Sequence, residues 1–597
     1  MSNKAHILSL ISVCAFLMSS CGETPQDPEP EEPMIRHVEA KSPTFYEDGN
    51  IEYYYDTAKN KYYDSNKQEI SADQIKVRLD IIDFLDRKDP IKSFGKKLKI
   101  IYKAEEVNDI ISKGNALISK IEGGSYYSAV DANDIITEIN RLLSFTQRQY
   151  DVAYILADSS GKSEDYDLKS EIYSAYYNLR DEYYAIYVAI AKEGRYNDKF
   201  FPGWSQEKID QYIAQHDHAS GGGGSPEKTT EQKMEILLNK YRAGKIERYE
   251  TFHDYVALAK QLASEKSYSN YLEYAYKNYG REYSISEAKT LSENAKNTIL
   301  PLAQNFKSKL EQMEKKDGVS ESNKAYKNNF FGSNIDLMRG YALTLDDSYK
   351  TNFQSFFENG NYFFSNVANP NVTAYTANST LGHYIFASKN YQDLMSFTHE
   401  FGHYYAGENF GSVPSLDLSE TQSQGNEMLL LSYLKNNNSN TDYALGFTYS
   451  EISSMANSIL LGCVINELED FAYSNEFTQE SLENKFDEVL KKYGASIGKD
   501  KLDYMYQVLL NYQGYYISYA VSGIAALELY AKSIENYNAA ASSYISLCKK
   551  DSSDEKFKKS LENAGLFDVF SDDSFTLIKT IENIWVLKLY FSRVLYR

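Results

Sequence analysis

Cysteine and tryptophan are scarce, at four and two of 597 residues, and there are only eight histidines. Four cysteines cannot build the disulfide lattice of a small secreted domain. Cys14 and Cys21 stand near the N-terminus, so Cys463 and Cys548 are left for the body, as one bridge or as two separately buried thiols. Positive charge is also short: 63 Lys and Arg against 84 Asp and Glu give a net charge of −21. A phosphate backbone is bound by basic faces that release counterions, which excludes nucleic acid as a partner. What is present is ordinary for a soluble globular chain, with 42% hydrophobic and 25% charged residues, and the length implies two or three lobes. Tyrosine is abundant at 54 residues, as half-buried packing with a wet hydroxyl or as a carbohydrate- or peptide-binding surface.

Residues 1–20 carry Lys4, an apolar run from Ile7 to Met18 too short to span a bilayer, and then Ser19-Ser20 before Cys21. This is an export leader. Small residues directly before Cys21 resemble a bacterial lipobox, which makes Cys21 the lipidation site and membrane anchor. The other reading is a plain secretory leader with Cys21 beside its cleavage site. Both place the protein outside the cytoplasm; lipidation places it in the bacterial cell envelope, at the outer membrane. Residues 21–44 open with a Pro- and Glu-rich stretch without apolar periodicity, an extended acidic tether.

Residues 45–215 show helical periodicity, seen at Ile172, Tyr176, Leu179, Tyr183, Ile186 and Ile190, and form an N-terminal helical lobe. Residues 216–228 break it with four consecutive glycines between serines, a flexible linker, natural or engineered. His216 and His218 beside it have no carboxylate or cysteine cluster and are solvated. Residues 229–597 form the main domain. Its pattern is helical from Glu231 to Glu314, with Pro301 opening a helix. Tyr362-Phe363-Phe364, Val372 to Tyr375 and Tyr384-Ile385-Phe386 then mark a small sheet, and helices resume over 393–408, 418–435, 450–471 and 480–493.

The chemistry lies in His399-Glu400-Phe401-Gly402-His403. On a helix the two imidazoles stand one turn apart on one face and can reach one metal ion, with Glu400 between them. A turn-rich connection through Gly407, Gly411 and Pro414 lets a second helix return antiparallel and bring Glu420 as third ligand. Two imidazoles and one carboxylate leave a zinc ion with an open position for water, and Glu400 then serves as general base. Glu427 lies about two turns beyond Glu420 on the same face, to hydrogen-bond a ligating imidazole or as a solvated carboxylate. Gly402 and Ser423 are small where the two helices cross.

His399-Glu400-Phe401-Gly402-His403 with Glu420-x-x-Ser423-x-x-Asn426-Glu427 resembles the oligoendopeptidase F branch of the thimet oligopeptidase family of zinc metallopeptidases. The segments Tyr241-Arg242-Ala243-Gly244, Tyr249-Glu250-Thr251-Phe252, Leu300-Pro301-Leu302, Tyr519 to Gly523 and Leu561 to Gly565 extend the resemblance over most of residues 229–585. It implies a mostly α fold: a helical two-lobed ellipsoid with a deep substrate channel and a small β-sheet next to the zinc helix. It also implies endopeptidase cleavage of short peptides, one zinc ion per chain, and oxyanion stabilisation by tyrosines, here Tyr512, Tyr516 and Tyr519, whose spacing puts them on one helix face. Texture and resemblance together let the strand around Thr373 to Thr376 take substrate main chain as an added strand. Two departures stand out. The family's histidine before the tyrosines is missing, since His403 is the last in the chain, and the His403–Glu420 connection is shorter. The expected function is zinc-dependent hydrolysis of short peptides by a zinc-activated water with Glu400 as base. The alternatives are an exported peptide- or glycan-binding lipoprotein, and a zinc-binding relative with lost or weakened catalysis.

Overall fold

A computed structural model of the chain describes residues 35–80, 97–216, 229–242, 244–316, 319–320, 334–370, 372–411, 413–437, 441–498, 500–549 and 556–581. The leader, Cys21, the acidic stretch through Pro33, His218 and residues 217–228 of the expected linker lie outside them. The chain divides into two compact units, Met1–Asp80 and Ile81–Arg597.

The first unit is β-structure, which corrects the helical expectation for residues 45–77 and the extended one for 35–38. Strands β1 (Ile35–Val38), β3 (Tyr53–Asp56), β4 (Lys61–Tyr63) and β5 (Glu69–Ile70) pair in that order, and β2 (Gly49–Asn50) pairs with β6 (Lys76–Val77). Runs of tyrosine favour a pleated surface. Tyr55 stacks on Tyr62 at 4.9 Å, and buried Asp56 accepts the amides of Ala58 and Lys59 at 3.0 Å to turn β3 into β4.

The second unit is mostly helical, as expected. It starts with α1 (Ala104–Glu122), α2 (Ala129–Ser160), α3 (Ser163–Glu193) and α4 (Gln206–His216). Gly161, left-handed at φ 66°, ends α2 and folds α3 back along it. Ile172, Leu179, Ile186 and Ile190 are buried as their spacing requires, and Tyr176 and Tyr183 are half-buried. Next come α5 (Thr230–Arg242), α6 (Arg248–Glu265), α7 (Tyr271–Asn278) and α8 (Ile285–Met313). Pro301 lies inside α8 instead of opening it, with Ile299, Leu302 and Phe306 buried around it. Tertiary burial there outweighs the lost main-chain hydrogen bond.

After α9 (Ile335–Ala342) and α10 (Asp347–Asn359), the expected sheet forms: β7 (Tyr362–Phe364), β8 (Ala374–Ser379) and β9 (Gly382–Ala387). Its order is β7-β9-β8, with β8 antiparallel to β9 and β7 parallel to it, so β8 is an edge strand. Helices α11 (Leu394–Phe410) and α12 (Leu416–Asn437) follow, then α13 (Thr441–Ser474), α14 (Gln479–Tyr493), α15 (Lys501–Asn511), α16 (Ile517–Glu535), α17 (Tyr537–Leu547) and α18 (Phe557–Asn563). Cys463 and Cys548 are separate buried thiols, which settles the open choice between a bridge and two thiols.

Two contacts set α11 against α12. A Cβ on Gly402 would stand 2.7 Å from Ser423 Cα and 2.9 Å from the Gln422 carbonyl oxygen, so only glycine permits this approach. Beside it, buried Asn426 donates to the Thr398 carbonyl at 2.7 Å and accepts the hydroxyls of Tyr341 at 2.8 Å and Tyr349 at 3.1 Å. The opposite face of α11 packs Phe401 edge-on against Phe353 at 5.2 Å and Phe356 at 5.6 Å.

Candidate metal centre

Asp393 caps α11 by accepting the amides of Met395 and Ser396, and the helical pitch then sets the His399 and His403 rings side by side, centroids 4.9 Å apart. Across the crossing, Glu420 places one carboxylate oxygen 3.4 Å from His399 Nε2 and the other 3.8 Å from His403 Nε2. His399, His403 and Glu420 offer three ligand atoms that lie within 4.8 Å of one another. The remaining ring nitrogens are engaged: His399 Nδ1 meets Glu427 at 2.6 Å, and His403 Nδ1 meets the Ser419 hydroxyl at 3.1 Å. Glu427 is therefore a partner of the imidazole and not a solvated carboxylate. Both Nε2 atoms face Glu420, and two imidazole nitrogens with a carboxylate are a donor set that a divalent zinc ion accepts.

Charge in this buried cluster is finely divided. Burial lowers the pKa of His399, but its hydrogen bonds to Glu420 and Glu427 outweigh that and lift it well above free imidazole. His403, with one carboxylate and a charged neighbour, is pushed down to about 4, mainly by burial. Burial also opposes ionisation of Glu420, yet His399, His403 and the donated Tyr515 hydroxyl hold it down at about 2. Glu400 is not part of the triad. Burial raises it to about 7 against the pull of His399 and of Thr376, whose hydroxyl donates to Glu400 Oε2 at 2.9 Å.

These residues line a cavity of about 480 Å³ whose walls also include Val372 to Thr376 of β8 and its approach, and Tyr154, Asp158, Tyr166 and Lys169 of α2 and α3. Tyr512 and Tyr519 line it, as does Tyr515. Tyr516, expected among the donors, does not; its hydroxyl meets that of Tyr504 at 3.4 Å. The cause is local. The four tyrosines do not share one helix, because Tyr512 ends α15, Gly514 at φ 66° turns the chain, and α16 begins after Tyr516. The turn shifts the phase by one residue and aims Tyr515 inward. It is held by buried Glu469, which accepts the Gly514 amide at 2.6 Å, and by Arg281, which donates to the Tyr515 carbonyl at 3.2 Å and to Ser518 at 2.9 Å. Sequence reasoning missed Tyr515, and the Gln513-Gly514 break was the available signal. It also missed His383, which lines the cavity, stacks on Tyr404 at 4.4 Å and meets Glu408 at 2.6 Å; Gly407, where a Cβ would lie 2.6 Å from its ring, was the trace.

No protein-family model matches the sequence, and no curated protein matches it. Solved structures do match the fold. PZ peptidase A with inhibitor 2 aligns at TM-score 0.53 and 16% identity, covering 81% of this chain and 98% of that one. A chain from Bacillus anthracis str. Ames described as an oligoendopeptidase F aligns at TM-score 0.52 and 17% identity, covering 82% and 97%. Another described as an oligoendopeptidase F, from a 3.1 Å X-ray structure, aligns at 0.53 and 15%, covering 82% and 98%. The structural neighbours are thus PZ peptidase and oligoendopeptidase F, and this chain has their fold.

The Glu427 contact generates a measurable expectation. Glu427→Gln should keep the fold and weaken zinc affinity by about 10- to 100-fold in a chelator competition, because the carboxylate that orients His399 is gone. An unchanged affinity would show that the contact does not support metal binding.

Proposed function

We propose that the protein is a zinc-dependent endopeptidase that hydrolyses short peptides. The observation that carries this reading is the His399, His403 and Glu420 donor set with Glu400 beside it on the wall of one cavity. The fold shared with PZ peptidase A and the two oligoendopeptidase F chains supports it. His399, His403 and Glu420 would hold a zinc ion, whose Lewis acidity would polarise the substrate carbonyl and acidify water.

The chain's own residues do the rest. Glu400, with a carboxyl near neutrality, takes a proton from the attacking water and hands it to the leaving amine nitrogen as the C–N bond breaks. Thr376 aims that carboxylate, and it ties the base to β8 through a second hydrogen bond to the Glu400 carbonyl at 2.8 Å. The free edge of β8 takes the peptide main chain as an added strand, which binds many sequences with little side-chain preference. Tyr512 and Tyr519 are phenol donors for the oxyanion; burial raises both pKa values, so both stay protonated at neutral pH. Tyr515 holds Glu420 in its ligating orientation. Capture without cleavage is not favoured, because a binding module has no use for a buried base next to three metal ligands.

Glu400→Gln should retain metal and fold while cleavage of a quenched peptide library falls by about a thousandfold or more. Undiminished turnover in that variant removes Glu400 from the mechanism.

We further infer export with a lipid on Cys21, supported by Lys4, the Ile7–Met18 run and Ser19-Ser20. In the native host, Cys21→Ser should abolish radiolabelled fatty-acid incorporation and free the protein from the membrane fraction; persistent labelling rejects the anchor.

A further inference from the structure

The cavity wall built by the N-terminal helices carries a cation that the peptidase chemistry does not use. Lys169 lies on α3 and is 2% exposed, yet it lines the cavity. Its ammonium stands 4.4 Å from the ring centre of Tyr154 and 5.5 Å from that of Tyr166. Among the described residues it makes no hydrogen bond and no ion pair within 4.0 Å. Two aromatic faces stabilise the charge, but they leave its three N–H donors unused. A buried ammonium without acceptors is costly unless a ligand brings them.

The neighbouring charges specify the sign of that ligand. Arg242 lines the same cavity; its own donors are directed to Asn239 and Asn511, both at 3.3 Å, and Glu235 lies 3.6 Å away. Asp158 is the one carboxylate on this wall. It sits beyond ion-pair distance of Lys169, accepts the Tyr166 hydroxyl at 3.4 Å, and is raised to about 6 by burial. Burial, then repulsion from Arg242, brings Lys169 down to about 8 against the attraction of Asp158 and Glu235, which leaves it mostly protonated at neutral pH. Arg242 is offset by Glu235 and Asp158 stays charged beyond ion-pair distance, so the Lys169 ammonium is the group on this wall whose donors are open, and its charge suits an anionic acceptor.

The wall is also in register with the reacting centre. Tyr154 meets Tyr375 edge-on at 5.9 Å, and the next residue, Thr376, holds Glu400. A peptide lying along β8 advances about 3.3 Å per residue, so a group near Lys169 is within a few residues of the bond cut. We propose that this cavity contains a carboxylate subsite, in which Lys169 backed by Arg242 binds a negative charge carried by the peptide. The subsite rests on the peptidase reading for its ligand class, and a peptide offers a carboxylate from two sources: its free C-terminus or an Asp or Glu side chain.

The test uses mixed-sequence pentapeptide pools: one amidated and free of Asp and Glu, one identical but with a free C-terminal acid, and one amidated with a single Glu. Binding is measured by calorimetry to zinc-loaded Glu400→Gln protein, which holds turnover off, with and without Lys169→Met. At least one carboxylate pool should bind about tenfold more tightly than the neutral pool, the scale of a charge-assisted hydrogen bond, and the pool that gains identifies the source. Lys169→Met should erase the advantage without weakening the neutral pool or lowering the melting temperature, since an apolar chain of similar length replaces a buried charge. Lys169→Arg should restore part of it. Equal binding of all three pools, no binding of any, or an advantage that survives Lys169→Met overturns the subsite; if Lys169→Met does not fold, the comparison among pools in the Lys169 protein decides. Cleavage by the wild-type protein reports separately on the peptidase reading: peptides cut without acid preference leave that reading standing alone, and acid preference without cutting leaves the subsite alone.

Discussion

Everything at the centre depends on how closely α11 approaches α12. Histidines on one helix and a glutamate on another come together in a single cluster only if the two backbones nearly touch, and Gly402 against Ser423 is where they do. Asn426 secures the crossing by answering the Thr398 carbonyl with its amide and two tyrosine hydroxyls with its oxygen. Separation by the width of one methyl group would move Glu420 away from both imidazoles. The aromatic cluster on the far side of α11 resists that movement, because close-packed interiors transmit displacement without absorbing it.

That proximity has an electrostatic cost. Glu400, Glu420 and Glu427 are gathered around His399 in a largely buried space, and like charges at such spacing repel strongly where water is excluded. The protein divides the burden: Glu420 ionises, Glu400 is raised to about 7, and His399 is drawn toward its charged form between two carboxylates. A divalent cation answers the same need more completely, since it neutralises the carboxylates and takes both imidazoles in their neutral state. Glu400 stands apart from the His399, His403 and Glu420 cluster, its carboxyl held by Thr376 of the edge strand β8.

The clustering of His399, His403 and Glu420 was legible in the sequence because its geometry is local: helical pitch sets His399 and His403, and one return helix sets Glu420. The helices from Ala104 on and the three short strands before α11 were legible for the same reason, being written in periodicity and turn residues. What escaped needs either a change of phase or long-range packing. Tyr515 replaced Tyr516 because Gly514 resets the helix. Pro301 stays inside α8 because buried neighbours outweigh propensity. Residues 45–77 read as helical text and 35–44 as an extended tether, but strands pair across both stretches, since tyrosine runs tolerate either state and the partners decide. Lys169 and Asp158 gave no signal at all, as nothing in α2 or α3 says that these helices face a cavity made by residues two hundred positions away.

The most direct measurement of the central claim is X-ray absorption at the zinc edge on the purified, zinc-loaded protein. The account requires one zinc per chain in a shell of two imidazole nitrogens at about 2.0–2.1 Å with oxygen completing it, and loss of the imidazole signature in His399→Ala. A sulfur-containing shell, or an unchanged spectrum in that variant, would contradict it.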